Sequence, residues 1–146
     1  MRDITFCHPR LQHLAGQLIE ECGRQGLSIK IGETFRTVAE QDALYAQGRT
    51  EPGNLVTNAP GSNYSSYHQW GTAFDIYRND GAGAYNESAL FFQRVGAIGM
   101  SLGLEWGGNW KSIMDNPHFQ LPDWGSSTSG IKKVYATPEA FMKTWI

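Results

Sequence analysis

The sequence predicts an α+β fold, a small central antiparallel sheet flanked by three to four helices. Three observations lead there. Apolar residues recur at helical spacing along residues 11 to 22 and again along residues 90 to 102. Short apolar or alternating runs of strand length lie at residues 27 to 35, 73 to 77 and 118 to 120. The segments between them are rich in glycine, proline, asparagine and serine, which favour turns over regular structure.

In chain order, residues 8 to 25 form the first helix. Leu11, Leu14, Ala15, Leu18, Ile19 and Cys22 share one face. Pro9 suits its first turn and Gly26 its end. His8 and His13 lie at its start with no carboxylate at a telling spacing, so both read as exposed or capping histidines. Residues 27 to 35 read as a strand, because Leu27, Ile29 and Ile31 alternate with Ser28, Lys30 and Gly32. The strand delivers Arg36. Thr37 caps a short helix carrying Ala43, Leu44 and Tyr45, with Glu40 as its capping-box partner. Residues 48 to 64 make a long polar loop, expected to form one wall of a groove.

The second half follows the same logic. His68 ends the loop, Gly71 supplies a bend, and residues 73 to 77 form a strand carrying Asp75. Tyr67 and Trp70 pack beside it. Residues 78 to 87 are a turn-rich loop in which Asp80 is a solvated aspartate. A second amphipathic helix spans residues 88 to 102, with Leu90, Phe91, Val95, Ile98 and Leu102 on its apolar side and Gly103 at its end. Residues 104 to 106 form a short strand, 107 to 111 a turn, and 118 to 120 a strand paired with the one that carries Asp75. Residues 121 to 132 read as a polar connector, and 137 to 143 as a helix capped by Thr137 with Pro138 in its first turn.

The bulk composition narrows the function classes. The 146 residues, 1–146, fit one domain. A net charge of −2 offers no electrostatic footprint for nucleic acid. No run reaches the length of a membrane span, and Met1-Arg2-Asp3-Ile4 is not followed by the apolar core of a signal peptide. Synthesis in the cytoplasm without a signal peptide is therefore expected, with no membrane partner and a monomer as the default. Cys7 and Cys22 do not make a disulfide scaffold, and without a C-x-x-C pair no thiolate metal site is suggested. Neither cysteine has a neighbouring base in sequence, which disfavours a nucleophilic hydrolase.

Chemistry concentrates in two stretches. Residues 65 to 75 hold His68 and Asp75; residues 115 to 119 hold Asp115 and His118. Imidazole nitrogen and carboxylate oxygen both bind Zn²⁺, and a catalytic site keeps three protein ligands plus an open position. His68, Asp75 and His118 are the proposed ligands, a set that leaves the site a net charge of +1 with neutral imidazoles. The predicted sheet carries this zinc site. Asp115, three residues before His118 in a tight turn bounded by Pro117, remains free to handle a water proton. Glu105 is the rival for that role. Arg36 suits a substrate carboxylate, a developing oxyanion or a structural salt bridge. Gln41 orients Arg36 or lines the site, and Ser66 hydrogen-bonds a ligand side chain or the substrate.

Ser66-x-His68-x-x-Gly71-x-Ala73-x-Asp75 followed by Asp115-x-x-His118 resembles the paired motifs of the D-alanyl-D-alanine carboxypeptidase group of zinc peptidases. Glu33-Thr34-Phe35-Arg36-Thr37 and the run from Glu40-Gln41 to Gly48-Arg49-Thr50 are most similar to the L-alanyl-D-glutamate endopeptidases of phage endolysins and bacterial autolysins. The resemblance covers residues 8 to 120. It implies a peptidoglycan stem-peptide substrate, Zn²⁺, Asp115 as base, Arg36 near the attacked carbonyl, and action on the cell wall after release. It also implies a catalytic domain alone, since no room remains for a wall-binding domain. A D-alanyl-D-alanine carboxypeptidase with the same site, or a non-catalytic peptidoglycan-binding module, are the alternatives.

Overall fold

A thin antiparallel sheet, apolar on one face and polar on the other, organises the chain. The computed structural model describes residues 1–145. The helices are α1 (Pro9–Arg24), α2 (Val38–Ala46), α3 (Phe91–Ser101), α4 (Ser129–Tyr135) and α5 (Pro138–Met142). The strands are β1 (Ile29–Ile31), β2 (Ala73–Arg78), β3 (Glu105–Trp106) and β4 (His118–Gln120), in the spatial order β1-β2-β4-β3 with every pair antiparallel.

Strand alternation sorts the side chains. Phe74, Ile76, Trp106 and Phe119 turn to the face covered by α1 and α3, where they join Leu11, Leu18, Phe91, Phe92, Val95 and Ile98 in the main core. Full burial of each large apolar side chain is worth about 2 kcal/mol, so this layer is what holds the sheet. Gly96 and Gly99 let α3 lie close to the sheet, because a Cβ at either position would collide with the Trp106 or Phe119 ring. Asp75, Glu105, His118 and Gln120 sit at the alternate positions and share the other face. Beyond them a smaller cluster of Tyr67, Trp70, Ala73, Ile131 and Phe141 anchors the C-terminal helices.

His8 is a capping residue: its Nδ1 accepts from the Arg10 amide at 3.0 Å at the start of α1. The Thr37 capping box forms as expected, with both reciprocal bonds present. Thr137 caps α5 by accepting from the Ala140 amide. Among the described residues no helix is long and apolar enough to cross a membrane.

Three elements differ from expectation. The strand expected over residues 27 to 35 is only Ile29–Ile31. Beyond it the Gly32 amide donates to the Asp75 carbonyl while the Asp75 amide donates to the Glu33 carbonyl. Two residues thus face one, as in a bulge, and the ladder ends there. The second amphipathic helix begins at Phe91, because Ala89 and Leu90 take left-handed backbone angles. Leu90 is accordingly 66% exposed and is not on the apolar side. The connector at residues 121 to 132 contains the start of α4. This seven-residue helix is too short to stand on its own propensity. It is held by Ile131, fully buried, and by Tyr135, which packs its ring on Phe141.

Candidate metal centre and active-site cleft

The metal motif is folded by local chemistry. Ser66 caps a single 3-10 turn over Tyr67–Trp70 by accepting from the His68 amide. Gly71 ends that turn at φ 68°, a left-handed angle that a side chain would resist. The chain then enters β2 and reaches Asp75. On β4, the register places His118 directly opposite Asp75. Asp115 precedes it in a tight turn closed by the His118 amide bonding to the Asp115 carbonyl at 3.2 Å. The i, i+3 spacing is therefore realised as a turn and not a helix.

His68, Asp75 and His118 converge. One ligand atom from each lies within 4.8 Å of the others. His68 Nε2 is 3.3 Å and His118 Nδ1 3.2 Å from the same oxygen, Asp75 Oδ1. That oxygen is buried and has no hydrogen-bond partner. His68 Nδ1 faces the Thr34 carbonyl at 2.8 Å. A carbonyl only accepts, so Nδ1 carries the proton and the Nε2 lone pair points at Asp75. Two imidazoles and an orphaned carboxylate oxygen aimed at one point suit a small divalent cation. The all-nitrogen-and-oxygen donor set, three in number, matches a catalytic zinc site.

The charges respond to this packing. Burial by itself would raise the Asp75 carboxyl, but the two imidazoles beside it, when they carry protons toward its oxygen, outweigh burial and hold it far below the ordinary carboxylate range. His118 is buried, which would lower its pKa, yet the neighbouring Asp75 and Asp115 raise it. Asp115 is shifted the other way from Asp75. Burial dominates and raises its carboxyl, and His118 only partly offsets this. Its side chain is 43% exposed and open to the cleft, with Oδ2 at 3.9 Å from His118 Nδ1.

The donors form the floor of a cleft of about 420 Å³ whose walls include Arg36, Gln41, Ser66, Trp110 and Asp115. Gln41, 1% exposed, joins two walls. Its Oε1 accepts from Arg36 Nη1 at 3.0 Å, and its Nε2 donates to the Ala59 carbonyl at 2.8 Å. Arg36 makes no ion pair among the described residues. The loop over residues 48 to 64 contributes Val56 and Thr57 to the cleft, as a wall. A neighbouring hollow of about 700 Å³ shares Val56, Ser65, Ser66 and Trp110 with it, so the groove continues past the metal donors.

Glu105 does not line the cleft. Its Oε2 accepts from Trp110 Nε1 at 2.9 Å and from Gln120 Nε2 at 3.3 Å. Gln120 and Trp110 escaped the reading of the sequence. Gln120 had a signal, since it lies two residues from His118 and so on the same strand face. Trp110, with its ring centroid 4.9 Å from that of His118, had none, because only the turn over Gly107–Asn109 brings it back over the site.

Three convergent donors able to hold a cation, a carboxylate open to solvent and a guanidinium without an ion pair among the described residues line one cleft. These are the groups that amide hydrolysis by a metallopeptidase requires. Residues 60–121 match the D-alanyl-D-alanine carboxypeptidase family. Over 124 residues the chain is 38% identical to the peptidoglycan L-alanyl-D-glutamate endopeptidase CwlK of Bacillus subtilis, covering 78% of this chain and 72% of that one. The fold is similar to that of the Serratia marcescens L-Ala D-Glu endopeptidase ChiX, with a TM-score of 0.59 at 22% identity, over 81% of this chain and 82% of the other. It is also similar to the vancomycin-resistance D,D-pentapeptidase VanY in complex with Zn(II), with a TM-score of 0.58 at 16% identity, over 93% and 83% of the two chains. The chain belongs to the D-alanyl-D-alanine carboxypeptidase family of zinc peptidases.

Proposed function

We propose that this chain hydrolyses the L-alanyl-D-glutamate bond of peptidoglycan stem peptides, with His68, Asp75 and His118 holding Zn²⁺. The carrying observation is the convergence of these three donors on one point beneath a cleft that also presents Asp115 and Arg36. The relationship to CwlK, whose name states that bond, supports the choice of substrate.

When bound, zinc supplies Lewis acidity, activating water near neutrality and polarising a carbonyl. The chain's own groups do the rest. Asp115 takes a proton from the attacking water and returns it to the leaving amine nitrogen, so the carbonyl carbon gains the hydroxyl and the D-glutamate nitrogen gains the hydrogen. A raised carboxyl is a stronger base than an ordinary one, which suits this duty. Arg36, steadied by Gln41, donates to the carbonyl oxygen as negative charge develops there. The hollow beside the cleft offers room for the remainder of the wall strand. The wall is thus the site of action and the stem peptide the partner, with no call on a second subunit.

The test is a digest of purified sacculi with identification of the new ends. The expected products carry a new amino terminus on D-glutamate and leave L-alanine on the muramic residue. Release of free D-alanine with intact L-alanyl-D-glutamate links would replace this reading with a carboxypeptidase.

A further inference from the structure

We infer that Glu105 and Gln120 are positioning residues that set the tautomer of His118 and so decide which of its nitrogens faces the metal. The inference rests on the zinc-peptidase reading above.

The register builds the relay. Glu105 on β3 is directly opposite Gln120 on β4, and Gln120 is two residues from His118 on the same strand. Directly opposed residues and i, i+2 residues share a sheet face. The three side chains therefore line up on the face that carries Asp75. Gln120 is 1% exposed and His118 6%, so water does not compete for their polar atoms.

The direction of each hydrogen bond follows from what each group is able to do. The orientation of a glutamine amide is decided by its partners. Glu105 Oε2, a carboxylate oxygen, only accepts. It stands 3.3 Å from Gln120 Nε2 and is held in place by Trp110 Nε1 at 2.9 Å. The Gln120 amide must turn its NH₂ toward Glu105, which points its Oε1 at His118 Nε2, 2.7 Å away. That oxygen also only accepts. His118 Nε2 thus carries the proton, and its Nδ1 presents the lone pair toward Asp75 Oδ1 at 3.2 Å. Trp110 closes the arrangement from above by packing its ring on the imidazole.

The two histidines are consequently set in opposite senses. His68 keeps its proton on Nδ1, donated to the Thr34 carbonyl, and offers Nε2, while His118 is protonated on Nε2 and offers Nδ1. The His68 anchor is backbone and is not removable by substitution. The His118 anchor is made of side chains and is the adjustable one. A carboxylate reached through an amide also raises the basicity of the imidazole, and loss of such outer partners costs ~10–100-fold in metal affinity.

The experiment has two arms on the zinc-loaded protein. Nitrogen-15 NMR of labelled histidines in the wild type should show the His118 proton on Nε2 and the His68 proton on Nδ1. Chelator competition on Glu105→Gln and Gln120→Leu should show zinc bound ~10–100-fold more weakly, with kcat largely restored when zinc saturates the protein. A His118 proton on Nδ1 in the wild type would overturn the relay whether or not either variant folds. Zinc affinity within twofold of wild type in both variants would do the same. A kcat for Glu105→Gln that stays low at saturating zinc would make Glu105 a reacting base instead. Failure of the wild type to bind zinc at all would sink the peptidase reading itself, which is a different result from zinc bound with the wrong tautomer.

Discussion

Asp75 and His118 face each other across the β2–β4 ladder, with Asp75 Oδ1 3.2 Å from His118 Nδ1. The same oxygen is 3.3 Å from His68 Nε2 and has no hydrogen-bond partner of its own. A buried carboxylate oxygen left so is costly without a cation. His118→Ala and Asp75→Asn should therefore lower bound zinc from one per chain to well below that, with parallel loss of wall clearing. Metal analysis and a turbidity assay on the same samples check this. Asp75→Asn is the sharper variant, because it keeps the shape and removes only the charge.

Asp115 and Glu105 separate under substitution. Asp115 opens onto the cleft, whereas Glu105 is taken up by Trp110 and Gln120. Asp115→Ala should retain zinc and lose ~10²–10⁴-fold in kcat, the range for a general base. The rate should also rise with pH through the Asp115 titration in the wild type, since only the carboxylate accepts a proton. Burial raises that group in the metal-free protein, and the charge of a bound zinc acts the other way, so the acid limb of the loaded protein reads the balance of the two. Zinc-loaded Asp115→Ala with wild-type kcat would remove this residue from the chemistry.

Arg36 and Gln41 should behave as a pair of unequal members. Arg36→Ala deletes the donor to the carbonyl oxygen and should cost about a hundredfold in kcat, roughly 3 kcal/mol, with zinc content unchanged. Gln41→Ala leaves the guanidinium in place but releases it from Oε1 and frees the Ala59 carbonyl. Its loss should be smaller and largely absent once Arg36 is already gone. A double-mutant cycle on kcat/KM reads that coupling.

Tyr67 predicts an alkaline instability. Its single hydroxyl proton is shared between the Gly125 and Ser127 carbonyls, at 2.8 and 2.5 Å, joining the site to the C-terminal cluster. Burial, with a contribution from Glu105, raises its pKa from 10.0 to about 12. The native state thus holds this proton more tightly than the unfolded chain. The stability is fully present below pH 10 and is lost as pH rises through about 12. Cys7 and Cys22, raised by burial from 9.0 to about 12, add to the same loss. Tyr67→Phe should cost about 1–3 kcal/mol at neutral pH by removing the proton these two carbonyls share. It should also flatten the fall between pH 10 and about 12. Denaturant unfolding of both proteins across that range is the measurement.

The sequence by itself determined a good deal here. Period-3.6 stripes located α1 and the body of α3, and the capping box at Thr37 located α2, because these signals are local. The three residues that converge, His68, Asp75 and His118, stand out for another reason: histidine is rare in this chain, and imidazole and carboxylate share a chemistry that narrows the choice. The paired strands for Asp75 and His118 followed from the same logic. Tertiary structure alone decided the rest. The β1 strand ends at a bulge imposed by Asp75, α4 exists because Ile131 and Tyr135 find a cluster to dock on, and Leu90 is exposed because the chain kinks before Phe91. The same holds for the support of the site. Glu105 reads as a free acid along the chain and becomes a hydrogen-bond acceptor only when β3 is laid beside β4. That juxtaposition joins residues 105 and 120, and no local spacing encodes it, since strand pairing is settled by which faces the core must bury.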